Sequence, residues 1–334
     1  MCIRSTYIVM AESMYGGWLG LLKWSLSQQG DGTTKSEAKP MSAENKAWLE
    51  RVMKEAVKDE PSRMKEMIER FKELLETDKE GEHEEEVEAL LDELHLMVEQ
   101  IDMAKVFTKF GGLTSLLLLL RSTRLGDDVR AEAAGIIAAL AQNNYDVQEE
   151  MFKAMTVKVL VGIYSEALSA SAGLRGKIIM AISCIVRQHP PSEEAFTADF
   201  ASTLFASSIL GNESLVLRRA VFLAKALIGS DTSTPARVEL MADCFLPHVI
   251  HYVIQADTDL REGSLMMLRD FCASPDGLKA VRSHSTVLLK TFETRQKGQF
   301  VDMVEASVEV DITPEQDAHE NELLDAIKKM VRAS

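Results

Sequence analysis

Apolar stretches of helix length alternate with short polar turns through the middle of the chain. One layout recurs four times: an apolar run, a turn of polar or small residues, an arginine, and a second apolar segment. The arginines stand 45, 43 and 43 residues apart, at Arg130, Arg175, Arg218 and Arg261. Four positions after each one lies a residue expected to face inward: Ala134, Ile179, Phe222 and Leu265. A period of about 40–47 residues predicts stacked helical repeats.

Turn-forming residues close each arginine-led segment and separate the repeats. They are Asn143-Asn144, His189-Pro190-Pro191, Gly229-Ser230-Asp231 and Ser274-Pro275-Asp276-Gly277. A short helix is also expected before each apolar run, most clearly over residues 100 to 110, where Gly111-Gly112 ends it. Three helices in a unit favour the armadillo class over the HEAT class. We therefore predict an all-α, armadillo-like right-handed solenoid of about four three-helix repeats with a helical N-terminal cap, because one unit cannot bury its apolar face alone.

Four segments of different composition divide the chain. Residues 1–43 are rich in polar residues and predict a flexible N-terminal segment, with one Trp/Leu motif at 18–31. Residues 44–100 predict an acidic helical lead-in that caps the first repeat, and residues 101–290 hold the armadillo repeats. Residues 291–334 are acidic again and are expected to form either a C-terminal cap or a loosely attached tail.

The Trp/Leu motif is the most apolar part of the N-terminal segment. Leu21, Leu22, Trp24 and Leu26 are spaced as in a short amphipathic helix. Two interpretations stay open. The motif docks on the core of this protein, or it binds a groove on a partner, since an exposed Trp/Leu cluster in a polar tail needs an apolar surface.

Charge and composition exclude several classes of protein. The net charge is −15, and the acidity lies in the flanking segments while the repeats are nearly neutral. An acidic chain without a basic stripe argues against nucleic acid as the main partner. We find neither an apolar run of the ~18 residues that cross a bilayer nor a signal-peptide pattern, and the four cysteines form no CxxC pair. We expect a cytoplasmic protein, not bound to membranes, and a monomer.

The chain shows no recognisable chemistry. It has no phosphate-binding loop, no dinucleotide fingerprint, no HExxH and no GxSxG motif. His248 and His251 are three residues apart without a nearby carboxylate or thiol pattern, which makes a poor metal site. We therefore predict no catalytic residue, no cofactor and no metal, and a protein that is not an enzyme.

Function is then expected at the surface of the last helix of each repeat, which lines the groove of such solenoids. The arginine at its start is expected to lay its stem on apolar surface with its head in solvent. The candidate partner-binding residues on the concave face are Asn143, Asn144, Arg187, Lys225 and Arg269.

Several stretches resemble one family. Residues 141–144, 181–187 and 219–227, together with Leu21 to Leu26 followed by Gly30-Asp31, are similar to the armadillo-type nucleotide exchange factors of the seventy-kilodalton heat-shock chaperone. The N-terminal stretch resembles the signature of the cytosolic, Fes-type members of this family. The resemblance implies that the concave face binds one lobe of the chaperone's ATPase domain, opens the nucleotide cleft and releases ADP. It also implies that the N-terminal segment assists release of the client.

Two other function classes are the alternatives to exchange activity. The first is a generic armadillo scaffold or adaptor without exchange activity, for which an extended peptide groove would need repeated tryptophans. Residues 101–290 contain no tryptophan, which counts against capture of a basic peptide in aromatic slots. The second is an enzyme with a carboxylate pair, which neither a nucleophile–base spacing nor a cofactor loop supports.

Overall fold

A computed structural model describes residues 43–44, 46–48, 60–76, 83–301, 310 and 312–332. The chain divides into two compact units, Met1–Arg63 and Met64–Ser334. In the first unit the described residues are helical at 43–44 and 46–48 and at the start of a helix from Glu60. The predicted N-terminal motif, Leu21, Leu22, Trp24 and Leu26, lies outside the described residues.

Helices account for nearly all regular structure in the described part of the chain. In chain order they are α1 Glu60–Glu76, α2 Glu84–Val98, α3 Ile101–Lys109, α4 Gly112–Arg121, α5 Asp127–Ala141, α6 Tyr145–Lys153, α7 Thr156–Glu166, α8 Ala172–Val186, α9 Pro190–Asp199, α10 Ala201–Gly211, α11 Ser214–Ile228, α12 Pro235–Cys244, α13 Leu246–Tyr252, α14 Thr258–Cys272, α15 Pro275–Ser283, α16 Ser285–Gln296 and α17 Pro314–Arg332. The predicted all-α fold is therefore confirmed.

Residues from 101 to 272 form four consecutive three-helix repeats, which begin at α3, α6, α9 and α12. The third helices α5, α8, α11 and α14 pack against one another in order, with α2 before them and α17 after them. Their apolar residues form one continuous core, in which Ile137, Ile179 and Leu223 are fully buried. Gly111 has a φ of 80° and makes the tight turn between α3 and α4. The predicted repeat boundary at residue 290 falls inside α16.

Three of the four periodic arginines are structural, which corrects the prediction that their heads reach solvent. Arg130, Arg175 and Arg261 are buried near the start of a third helix. Each donates to carbonyls at or just beyond the end of the second helix of its own repeat: Arg130 Nε to Leu120 O at 2.9 Å, Arg175 Nη1 to Leu168 O at 3.3 Å, and Arg261 Nη1 to Gln255 O at 2.7 Å and Ala256 O at 2.8 Å. The last carbonyls of a helix lack partners within it, so a buried guanidinium there supplies the missing donors.

The third repeat departs from this pattern by one residue. Only Asn212 and Glu213 separate α10 from α11, so Arg218 is the fifth residue of its helix, whereas the other three arginines are the fourth. Leu217 fills the buried position, and the Arg218 side chain is 34% exposed. The same offset buries Val221 and leaves Phe222 44% exposed, so the prediction that Phe222 faces inward is wrong.

The C-terminal helix α17 is joined to the last repeat by a buried charge cluster. Glu320 is 2% exposed and accepts from Arg261 Nη2 at 3.0 Å and from Arg295 Nε at 2.6 Å. Both guanidinium groups also lie over the ring of Phe300, at 4.7 and 5.1 Å from its centroid. The described part of residues 291–334 therefore includes a helix packed on the repeats rather than a loose tail.

No helix in the described residues is by itself both long and apolar enough to cross a bilayer; the pair α3 and α4, bent by 82°, meets that test only when taken together.

Candidate partner-binding surface

The exposed side of α8, α11 and α14 forms a surface that we name the third-helix face. Its side chains follow helical spacing along each helix, because the opposite side of the same helices is buried in the core. On this face α8 presents Lys177 and Met180. The next helix, α11, presents Arg219 and Phe222, and α14 presents Met266. Gly176 and Gly263 face the neighbouring third helix, where an added Cβ would make ordinary contact with Leu215 and Val221 respectively, at 3.4 Å.

The centre of this face is positively charged although the protein is acidic. Neither α8 nor α11 contains an acidic residue. Lys177, Arg219 and Lys225 lie on these helices, and Arg187 follows the last residue of α8. None of these four cations forms an ion pair with a residue that the structure describes. The chain thus has a local basic stripe, contrary to the expectation from its overall charge.

An exposed aromatic ring, that of Phe222, lies beside three of these cations: Arg187, Arg219 and Lys225. The Arg187 guanidinium stacks over the ring of Phe222 at 4.8 Å from its centroid. Lys225 Nζ lies 3.6 Å from Met266 Sδ, so its stem covers the gap between α11 and α14. A depression of about 350 Å³ beside Phe222 is lined by Arg218, Arg219 and Lys225, by apolar neighbours, and by Asp259, which pairs with Arg218. The arrangement is an open, apolar-floored surface with a cationic rim, suited to binding a protein surface.

The predicted concave-face residues have different environments. Arg187 and Lys225 lie on either side of Phe222. Arg269 is exposed farther along α14 and donates to its neighbour Asp270 at 3.1 Å. Asn143 is exposed in the turn after α5, where its φ is 54°.

Asn144 is not part of this surface, which corrects the prediction. Its side chain is 3% exposed and donates to the carbonyl of Ile101 at 3.2 Å. The residue precedes α6, and its amide ties that helix to α3 of the preceding repeat. Burial between two repeats leaves no room for a partner.

Sequence reasoning missed Phe222 as a surface residue. The signal was the two-residue turn at Asn212 and Glu213, because the other repeats have five residues between the second and third helices. A shorter turn moves the start of α11, and the inward positions move with it.

A buried carboxylate lies next to the face, at the start of the third repeat. Glu193 is 2% exposed and accepts from Thr232 Oγ1 at 2.6 Å, Ser230 Oγ at 2.7 Å and Arg237 Nη1 at 2.8 Å. Burial alone would raise the pKa of Glu193, but these donors stabilise the carboxylate and hold its pKa below the ordinary value. The network fixes the loop between α11 and α12 beside Arg187.

The described residues contain no group of three His, Cys, Asp or Glu side chains placed to hold a metal ion. Burial lowers the pKa of His248, with a smaller effect from neighbouring His251. Burial also raises the pKa of the Cys184 thiol, and it raises the pKa of Cys244 and Cys272 to about 11, so these thiols are protonated at neutral pH. None of these groups is activated for chemistry.

Comparison with known structures shows an armadillo fold. A designed armadillo repeat protein in complex with the peptide (KR)4 gives a TM-score of 0.60 at 14% identity, covering 82% of this chain and 100% of that one. A second designed armadillo repeat protein gives 0.56 at 14% identity, covering 79% and 99%. An engineered protein gives 0.58 at 16% identity, covering 80% and 97%. At these identities the likeness concerns the fold alone.

Comparison with known sequences concerns the N-terminal part of the chain. Curated proteins gave no match. The family model described as nucleotide exchange factor Fes1 matches residues 19–106, which include all of the Trp/Leu motif except Trp18, the acidic lead-in and most of α3. Together with the armadillo fold, this match over residues 19–106 confirms the resemblance to an armadillo-type nucleotide exchange factor of the seventy-kilodalton heat-shock chaperone.

Proposed function

We propose that this protein binds the ATPase domain of the seventy-kilodalton heat-shock chaperone through the third-helix face and promotes release of ADP. The observation that supports the proposal most directly is the Fes1 family match over residues 19–106. The four cations without ion pairs among the described residues supply a surface that favours an acidic partner. Arg187, Lys225, Arg269 and Asn143 are the proposed contact residues.

The mechanism requires binding but no catalytic group. If the third-helix face binds the open, nucleotide-poor conformation of the ATPase domain more tightly than the closed one, it shifts the domain toward the open conformation. By linkage, ADP binding is then weakened by the same factor. The rigid row of third helices suits this role, because a stiff binding surface transmits its shape preference to the partner.

We further propose that Leu21, Leu22, Trp24 and Leu26 assist release of the client from the chaperone, since they lie inside the matched family region. On this proposal the protein acts in the cytoplasm as a monomer. Trp24→Ala should leave ADP release unchanged and slow the release of a labelled client peptide. Loss of ADP release in that variant would instead assign the motif to the main binding surface.

Stopped-flow release of a fluorescent ADP analogue from a cytosolic chaperone tests the exchange activity. We expect an acceleration that saturates as this protein is added. A stable complex without acceleration would leave a co-chaperone that lacks exchange activity. Absence of both would reject the proposal.

The alternative is an adaptor that holds an extended peptide. One structural neighbour is a designed armadillo repeat protein in complex with the basic peptide (KR)4. In the present protein the equivalent row of helices carries cations at its centre, so a basic peptide would be repelled. An adaptor for an acidic segment stays open, and the ADP-release measurement distinguishes it.

A further inference from the structure

Phe222 is exposed because of the short turn that precedes α11 in the third repeat. In the other three repeats the residue four positions after the periodic arginine is fully buried: Ala134, Ile179 and Leu265. In the third repeat the short turn rotates α11 by one residue, so Val221 takes the buried position and Phe222 points to the third-helix face. A large aromatic side chain that is 44% exposed at this point leaves apolar surface in water.

The surroundings of Phe222 hold the ring in place. Arg187, from the preceding repeat, lies over one side of the ring at 4.8 Å. The depression on the α14 side is bounded by Val221, Lys225, Gly263 and Asp259, whose carboxylate is already paired with Arg218, and Gly263 leaves space there because it has no side chain. A ring stacked by a cation and flanked by open space is a preorganised contact residue, since little side-chain entropy remains to be lost on binding.

The charges around the ring determine what it can bind. Arg187, Arg219 and Lys225 lie beside the ring and have no ion pair among the described residues, and neither α8 nor α11 offers a carboxylate. Arg218, by contrast, is already paired with Asp259 at 2.6 Å. A partner that supplies carboxylates would neutralise these three cations, whereas a basic or purely apolar partner would leave them desolvated and unpaired.

We propose that Phe222 is the apolar anchor of this surface, and that its occupant is a protein segment in which an apolar side chain is flanked by carboxylates. This inference rests on the proposed function, in which that segment belongs to the chaperone's ATPase domain. The apolar side chain of the partner enters the depression beside Phe222, and its carboxylates pair with Arg187, Arg219 and Lys225. Aromatic residues at the centre of an interface with a polar rim typically contribute most of the affinity.

The test compares Phe222→Ala with Leu210→Ala. Both residues are exposed large apolar side chains, but Leu210 lies on α10, outside the third-helix face. Each variant and the wild-type protein are titrated with three labelled probes: the isolated ATPase domain, a short peptide with one leucine among glutamates, and the same peptide with lysines in place of glutamates. Thermal unfolding shows that each variant is folded, and ADP release is measured in parallel.

We expect Phe222→Ala to weaken binding of the ATPase domain and of the glutamate peptide by ~10-fold or more. Leu210→Ala should stay within about twofold of the wild type, since surface truncation away from an interface changes little. The lysine peptide should not bind. Added salt should weaken binding of the glutamate peptide to all three proteins, because the cations are exposed to solvent.

Several results would overturn the inference. If Phe222→Ala binds both acidic probes as tightly as the wild type does, Phe222 is not the anchor. If this variant still accelerates ADP release, the exchange activity depends on another surface. If the wild-type protein does not bind the glutamate peptide, or binds the lysine peptide more tightly, the proposal of an acidic occupant is wrong. A self-associated wild-type protein that Phe222→Ala converts to a monomer would assign the surface to a second copy. If the glutamate peptide binds through Phe222 while ADP release is not accelerated, the surface stands and the exchange function fails.

Discussion

The C-terminal end of the repeat array and the third-helix face are both rich in cationic side chains, but they use them in opposite ways. At the C-terminal end, Arg261 and Arg295 are at most 2% exposed and share the carboxylate of Glu320. On the third-helix face, Arg187 and Lys225 are partly exposed and have no ion pair among the described residues. The first arrangement holds the chain together, and the second is available to a partner.

The difference follows from solvation. A buried guanidinium loses its hydration and is tolerated only where carbonyls and a carboxylate replace the lost water. An exposed guanidinium keeps its water and contributes little to folding, so it can exchange that water for a partner's carboxylate. Burial and partners, and not residue type, therefore separate the structural arginines from those proposed to bind.

The largest expected effect is at the buried cluster. Glu320→Ala would leave two buried guanidinium groups without their shared carboxylate, and breaking such a pair costs about 3–5 kcal/mol. We expect a matching loss in the free energy of unfolding in urea, followed by circular dichroism. Glu322→Ala, at an exposed position on the same helix, is the control and should be near the wild type. Equal losses in both variants would mean that α17 does not depend on the cluster.

Two arginines at the same place in the sequence pattern should differ strongly. Arg261→Ala would leave the carbonyls of Gln255 and Ala256 without their donor and is expected to cost about 3 kcal/mol. Arg218→Ala removes partly exposed pairs with Asp259 and Asp257, expected to be worth less than ~1 kcal/mol. Urea unfolding of both variants measures the difference. A loss for Arg218→Ala as large as that for Arg261→Ala would refute the structural distinction.

The Glu193 network makes the free energy of unfolding depend on pH. Its pKa is lowered in the folded protein, so its stabilisation is present above the unfolded value of about 4.3 and is lost as the pH falls through the lower folded value. Glu193→Gln should reduce the free energy of unfolding by roughly 1–3 kcal/mol at neutral pH. The gap to the wild type should narrow below about pH 4. Glu194→Gln, its exposed neighbour, should show neither effect. A gap that is independent of pH would contradict the charged network.

The smallest effect on folding is expected on the third-helix face. Arg187→Glu and Lys225→Glu should change the free energy of unfolding by less than about 0.5 kcal/mol, as at most exposed sites. On the proposed function, both should weaken ATPase-domain binding, most clearly at low salt. Lys279→Glu, exposed on α15, is the charge-matched control. Unchanged affinity in both Arg187→Glu and Lys225→Glu would place the contact surface outside the third-helix face.

Much of the fold was readable from the sequence. The turn residues separated the repeats correctly: α5 ends at Ala141 before Asn143, α8 ends at Val186 before His189, and α14 ends at Cys272 before Ser274. Gly111 was expected at the turn between α3 and α4 and has the positive φ that this turn needs. Turn chemistry is local, so single-sequence reasoning finds it.

The candidate site was less readable. Arg187 and Lys225 were chosen as polar residues of third helices, whereas the ring of Phe222 between them was assigned to the core. The period of 43 residues between Arg175 and Arg218 hides the offset, because it counts residues and not helix rotation. The prediction for Asn144 is wrong for a similar reason. Its side chain is buried where it donates to the carbonyl of Ile101, which lies 43 positions away in the sequence.

The sequence by itself determined the helical segments, their breaks, the repeat period and the uneven distribution of charge, since these depend on local residue chemistry. Only the tertiary structure decided which side chains are buried and which remain free. The fate of Arg261 depends on Glu320, which is 59 residues away, and the exposure of Phe222 depends on the length of the turn before α11. Burial is a property of packed neighbours, and these neighbours meet only when the repeats stack.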